Sequence, residues 1–153
     1  MDTRRKGREA AIQLLYQRDI HGNTDDEKSI EIFWQIRAAG DAVKTFCNRM
    51  ARGVMEHQQE IDALLQRFVE NYEMHRVAMV DRNILRLAIY EMLYRPDIPP
   101  VVSINEAIEL AKSLGSPESG RFVNGILDRI RGEVKRPLRT PQKTPRPSKI
   151  ERT

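Results

Sequence analysis

The chain has 153 residues and 17.8 kDa, with 40% hydrophobic and 31% charged residues, a balance that fits one folded domain and excludes disordered or collagen-like classes. No stretch approaches the ~18 apolar residues of a membrane span, and the single cysteine, Cys47, excludes an internal disulfide framework or a CxxC site, so a cytoplasmic protein is expected. The net charge of +4 is uneven, because residues 135–153 hold seven Lys or Arg against Glu151, leaving 19 basic and 21 acidic groups in residues 1–134.

The N-terminus concentrates Arg4, Arg5, Lys6 and Arg8, a cationic end suited to phosphate. Ala11, Leu14 and Leu15 place a first helix on the core through one stripe. At 100° per residue, Arg5, Arg8, Ile12 and Tyr16 fall on another stripe, so Tyr16 points away from Leu14. Arginines followed by an aromatic ring are the arrangement that grips RNA phosphates and stacks on an unpaired base; a solvated terminus is the alternative.

Asp25 to Glu27 supply a cap and acidic first turn for a second, short helix carrying Ile30, Phe33 and Trp34. After Gly40, the positions Val43, Phe46, Met50, Val54, His57, Ile61, Leu64, Phe68 and Tyr72 advance by threes and fours. They predict one amphipathic helix of about 32 residues, ~48 Å long. Cys47 on that helix is expected to be a small buried apolar residue.

Residues 84–94 are apolar nearly all round, with Arg86 and Glu91 the only charges, which predicts a central helix ended by Pro96, Pro99 and Pro100. Ser103 and Glu106 predict a capping box for the next helix, with Ile104, Ala107, Ile108 and Ala111 buried and Gly115 closing it. Ser116-Pro117 predicts the start of a last helix lined by Val123, Ile126, Leu127, Ile130 and Val134, in which Gly125 would permit close helix contact. No segment reads as a strand, so the fold class is all-α with about seven helices. Residues 136–153, with Pro137, Pro141, Pro145 and Pro147, read as a disordered basic tail.

No catalytic or cofactor motif is present. His57-x-x-Glu60 is the nearest approach to a metal-ligand pair, but it occurs once and in the reverse of the order that di-metal bundles use. No metal, no cofactor and no catalysis are therefore expected, and a binding role is favoured.

Several segments together carry a resemblance. They are Arg4-Arg5-Lys6-Gly7-Arg8-Glu9-Ala10 leading to Leu14-Leu15-Tyr16, Gly53-Val54 with Glu60-Ile61-Asp62, and Arg82-Asn83-Ile84-Leu85-Arg86-Leu87-Ala88-Ile89-Tyr90-Glu91. Ile104-Asn105-Glu106-Ala107-Ile108-Glu109-Leu110-Ala111-Lys112 and Arg121-Phe122-Val123-Asn124-Gly125-Ile126-Leu127-Asp128 complete the set. Over about residues 4–131 the chain resembles the NusB family of bacterial transcription antitermination factors.

The resemblance implies one helical RNA-binding domain over residues 1–135, built of two small bundles, about 1–75 and about 76–135. It implies an adaptor that catalyses no reaction. Such an adaptor joins the ribosomal protein NusE, binds boxA RNA in ribosomal RNA leaders, and serves the transcription elongation complex with other Nus factors. By the same resemblance, the RNA contacts are Arg4, Arg5, Arg8, Tyr16, Arg86, Lys112, Arg121 and Phe122, and Asp81 lies near the NusE side. Gly7 interrupts the arginine run, which implies that the extreme N-terminus orders only on RNA. Phe122 is expected to stack at the surface, with burial beside Ile126 the alternative. Two other readings stay open: an accessory domain of an RNA methyltransferase, whose catalytic part the residues after 134 are too short to supply, and a scaffold that binds only protein.

Overall fold

The computed structural model describes residues 3–22, 25–69 and 77–133, and these form an all-helical fold with no strand among them. In chain order the helices are α1 (Thr3–His21), α2 (Asp26–Gln35), α3 (Asp41–Glu56), α4 (Gln58–Phe68), α5 (Met79–Tyr94), α6 (Pro100–Leu114) and α7 (Ser119–Ile130), followed by a 3-10 turn, Arg131–Glu133. The tail expected at 136–153 and the far end of the expected long helix, at Tyr72, lie outside the described residues. No helix among the described residues is long and apolar enough to cross a membrane.

The nearly all-apolar α5 is the hub, in contact with α1, α3, α4, α6 and α7. Ile84, Leu85 and Ile89 are fully buried in it, each contributing roughly 1.5–3 kcal/mol of hydrophobic stabilisation. One continuous core runs from Leu14 and Leu15 of α1 through α5 to Val123 and Leu127 of α7. α1 lies most extensively on α3, and two glycines allow the approaches that bring these helices in. A Cβ on Gly7 would stand 2.5 Å from Phe46 Cδ2, and one on Gly53 would stand 2.0 Å from Tyr90 Cζ, so neither position tolerates a side chain without movement.

Five expectations about the helices are corrected. The stretch from 43 onward is two helices, because His57 leaves helical geometry (φ −112°, ψ 17°) and ends α3, its amide donating to the carbonyls of both Gly53 and Val54. Across the fold, the His57 ring stacks on Tyr94 of α5, centroids 3.8 Å apart and planes 12° apart. Next, α6 starts at Pro100 rather than at Ser103, since proline is preset for the first helical turn. Ser103, buried inside that helix, donates its hydroxyl to Glu91 (2.7 Å). The last helix likewise starts at Ser119, and Ser116-Pro117 belongs to the preceding turn, where the Ser116 amide donates to Ser119 Oγ (2.9 Å). Lastly, Gly125 faces open space, and α1 runs unbroken through Gly7 because Phe46 fills the place of its missing side chain.

Candidate nucleic-acid interface

The exposed cations gather where α1 begins. Arg4, Arg5 and Lys6 are all exposed on the first turns of this helix. The guanidinium of Arg4 lies 5.4 Å from the centre of the Phe46 ring, a cation–π contact that holds its side chain against α3. Arg5 donates two hydrogen bonds to Glu106 of α6 (2.9 and 2.7 Å), a forked pair that fixes its orientation. Lys6 has no ion-pair partner among the described residues.

Arg8 is placed differently. Its side chain is buried, donating to both carboxylate oxygens of Glu91 (2.8 and 2.9 Å) beneath Phe46, whose ring centre lies 5.5 Å from its guanidinium. The stripe expected to run from Arg5 to Tyr16 is thus exposed only at its two ends, because Arg8 and Ile12 are buried, Arg8 between Glu91 of α5 and Phe46 of α3. Arg86 is also internal. Its Nε and Nη2 donate to Asp62 of α4 (2.8 and 2.9 Å), and its Nη1 donates to Asp19 of α1 and to Asn83 (2.9 and 3.0 Å). Both arginines are therefore engaged in joining helices, and direct contact with an external phosphate is not open to them in this arrangement.

Tyr16 is 37% exposed, three turns along α1 from Arg5. It borders a groove of about 540 Å³ with Ile20, Arg37, Val80 and Leu114. Asp81, next to Val80, is 7% exposed, and its Oδ1 accepts no hydrogen bond among the described residues. On the far side of α6, exposed Lys112 lays its stem beside Gly120, where a Cβ would meet Lys112 Cγ at 3.3 Å, and its Nζ stands 3.6 Å from Glu109. This seat brings Lys112 to the first turn of α7, beside exposed Arg121. Phe122 is half-buried and packed against the core.

The remaining polar groups serve the fold. Among the described residues no three His, Cys, Asp or Glu side chains converge as metal ligands. His57 Nδ1 stands 3.2 Å from Glu60 Oε1, which also accepts the Tyr94 hydroxyl. That hydroxyl, and then His57, hold the Glu60 carboxyl below its usual range, while burial and the Glu60 carboxylate push the Tyr94 phenol up. Burial pushes the Cys47 thiol up to about 12, so it is not a thiolate nucleophile at neutral pH. Sequence reasoning passed over Glu106 and Phe46 as organisers of the arginines; the signal available was that Glu106 follows Ser103 on a helix whose buried stripe excludes it.

Comparison with known proteins identifies relatives of this chain. Residues 5–131 match the NusB family. The transcription antitermination protein NusB of Myxococcus xanthus is 45% identical over 142 residues, covering 90% of this chain and all of the relative. That of Geobacter sulfurreducens is 45% identical over 130 residues, 85% of this chain and 94% of the relative. Among solved structures, T. maritima NusB superposes with a TM-score of 0.76 at 42% identity, covering 85% of this chain and 91% of the other. A crystal structure of antitermination factors NusB and NusE in complex with double-stranded RNA shares the fold, with a TM-score of 0.75 at 24% identity, covering 87% and 98%.

Proposed function

This chain belongs to the NusB family, and from that premise we propose that it is a non-catalytic RNA-binding adaptor of transcription antitermination. In this reading it takes boxA RNA of a ribosomal RNA leader together with ribosomal protein NusE, and supports processive transcription by RNA polymerase with other Nus factors in the cytoplasm. The observation that carries the reading is the exposed Arg4-Arg5-Lys6 cluster on a helix packed on α3 and tied to α6 through Arg5 and Glu106. Fixed cations lose little side-chain entropy when they meet a phosphate, and Tyr16 further along α1 offers a ring on which an unpaired base can stack.

The RNA contacts are then Arg4, Arg5, Tyr16, Lys112 and Arg121, with the exposed part of Phe122 at the edge. Arg8 and Arg86 act one step back, by holding α1, α4 and α5 in register. NusE is assigned to the groove bordered by Val80 and Leu114, at the end of α5 that carries Asp81. Residues 1–134 have a formal charge of −2, so the cationic face is local and RNA affinity without a partner is weak.

Fluorescence anisotropy of labelled boxA RNA, titrated with the protein in the presence of NusE, tests this reading. Arg4→Ala with Arg5→Ala should weaken binding and lower the salt slope by about 0.7 per lost single-strand phosphate contact. Equal affinity for boxA and a scrambled RNA would remove the boxA assignment. Absence of any RNA binding would leave the protein-only scaffold.

A further inference from the structure

Beside the arginine cluster lies a second cleft, of about 410 Å³, walled by Lys6, Ala10 and Gln13 of α1, Trp34 at the end of α2, and Arg37 and Gly40 of the connection to α3. Its size is within the range of small-ligand clefts. Trp34 is half-buried and fixed on two sides: its Nε1 donates to Asn48 Oδ1 (2.8 Å), and its ring meets Phe33 edge-on at 4.9 Å and 80°. Cations surround the aromatic pair. Lys44 Nζ lies 5.3 Å from the centre of the Trp34 ring, and the Arg37 guanidinium lies 4.1 Å from that of Phe33. Arg37 Nη1 makes only long hydrogen bonds, 3.3 Å each, to Gln17 Oε1 and the Phe33 carbonyl. Glu9 is the one acidic side chain on the cleft wall.

We infer that this cleft is a second RNA site, holding one unpaired nucleotide that flanks the segment gripped by Arg4, Arg5 and Tyr16; it rests on the RNA-binding reading above. Three features favour RNA over a protein segment. The cleft wall carries Lys6 and Arg37 against Glu9, with Lys44 over the Trp34 ring, so the cleft attracts a phosphate. A fixed tryptophan with cations at hand is the equipment that holds a base without reading its identity. Gln13 and Arg37 line both this cleft and the Tyr16 groove, so a strand leaving Tyr16 has a continuous path into it.

Trp34 is the only tryptophan in the chain, so intrinsic emission reports on the cleft directly. The test titrates the wild-type protein with unlabelled boxA RNA carrying unpaired nucleotides on both flanks, and with the same RNA trimmed to boxA. Anisotropy of labelled versions measures total binding in parallel. The flanked RNA should quench Trp34 and the trimmed RNA should not. Lys44 lies outside the Tyr16 groove, so Lys44→Ala should weaken the flanked RNA about twofold or more and leave the trimmed RNA unchanged, whereas Arg5→Ala should weaken both. Binding of the flanked RNA with no change in Trp34 emission overturns the inference and leaves the main RNA face standing, and so does equal loss for both RNAs in a variant that melts like wild type. Quenching by an acidic peptide, but not by RNA, assigns the cleft to a protein partner and overturns it as well. Failure of both RNAs to bind removes the parent reading with it.

Discussion

Arg8 of α1 and Glu91 of α5, 83 residues apart in sequence, form a forked ion pair in which neither side chain is more than 4% exposed. Ser103 of α6 donates to the same carboxylate, so three helices meet at one buried charge. A buried pair costs desolvation to form, but removing one partner strands the other charge without compensation. Arg8→Ala should therefore lower unfolding free energy by about 3–5 kcal/mol in urea titration. Its RNA salt slope should match wild type, in contrast to Arg4→Ala. A stable Arg8→Ala protein with a shallower slope would show that Arg8 leaves Glu91 to reach phosphate.

Glu106 holds Arg5 in place and also sets a negative charge within the cationic face. Glu106→Gln keeps an acceptor for Arg5 and deletes that charge. RNA affinity at low salt should rise, with a slope steeper by up to about 0.7, while stability changes by less than ~1 kcal/mol because Arg5 is nearly half exposed. Anisotropy over a salt series reads both; weaker binding would mean that the charged tether is required to aim Arg5.

Tyr16 stands in the solvent-exposed part of α1, so its loss should leave the fold intact. Tyr16→Ala should weaken single-stranded RNA by about 1–3 kcal/mol, the worth of one stacked base, with no change in salt slope. Unaltered affinity across the same titration would move the stacking platform elsewhere.

The residues that make this face were unequally legible in the sequence. Periodicity was enough to find α1, α2 and α7, though not the first residue of α7, and α5 was legible from being apolar nearly all round. The break at His57 was not legible: no glycine or proline marks it, and the ring that His57 stacks on belongs to Tyr94, 37 residues on. Arg86 was half legible. Its place in a helix apolar nearly all round implies burial, and a buried charge must be paired, yet its partners Asp19 and Asp62 stand 67 and 24 residues away. The Trp34 cleft exists only where α1, α2 and α3 converge, so no local pattern could display it.

Acid should act through Asp97. The Arg95 guanidinium, donating at 3.1 and 2.9 Å, holds its carboxyl below the usual aspartate range. A carboxylate depressed in the folded state contributes stability that is present above its unfolded value and lost as pH falls through the folded one. The melting temperature of wild type should consequently decline below about pH 4, and Asp97→Asn should make that decline shallower while lowering stability at neutral pH. Parallel melting curves for the two proteins across this range would refute the pairing.

The adaptor account turns on energetic coupling between RNA and partner. Tyr16 on the RNA side and Val80, beside Asp81 on the partner side, border the same groove, so a partner seated there either adds contacts to the RNA or fixes the ring on which it stacks. Linkage then requires each ligand to tighten the other by an equal factor. Calorimetric titration of boxA RNA into the protein with and without NusE, and of NusE with and without boxA RNA, measures all four legs of the cycle. The account predicts that both ligands gain the same ~5- to 150-fold in affinity, about 1–3 kcal/mol of coupling; RNA affinity that is identical for the free protein and the NusE complex would contradict it.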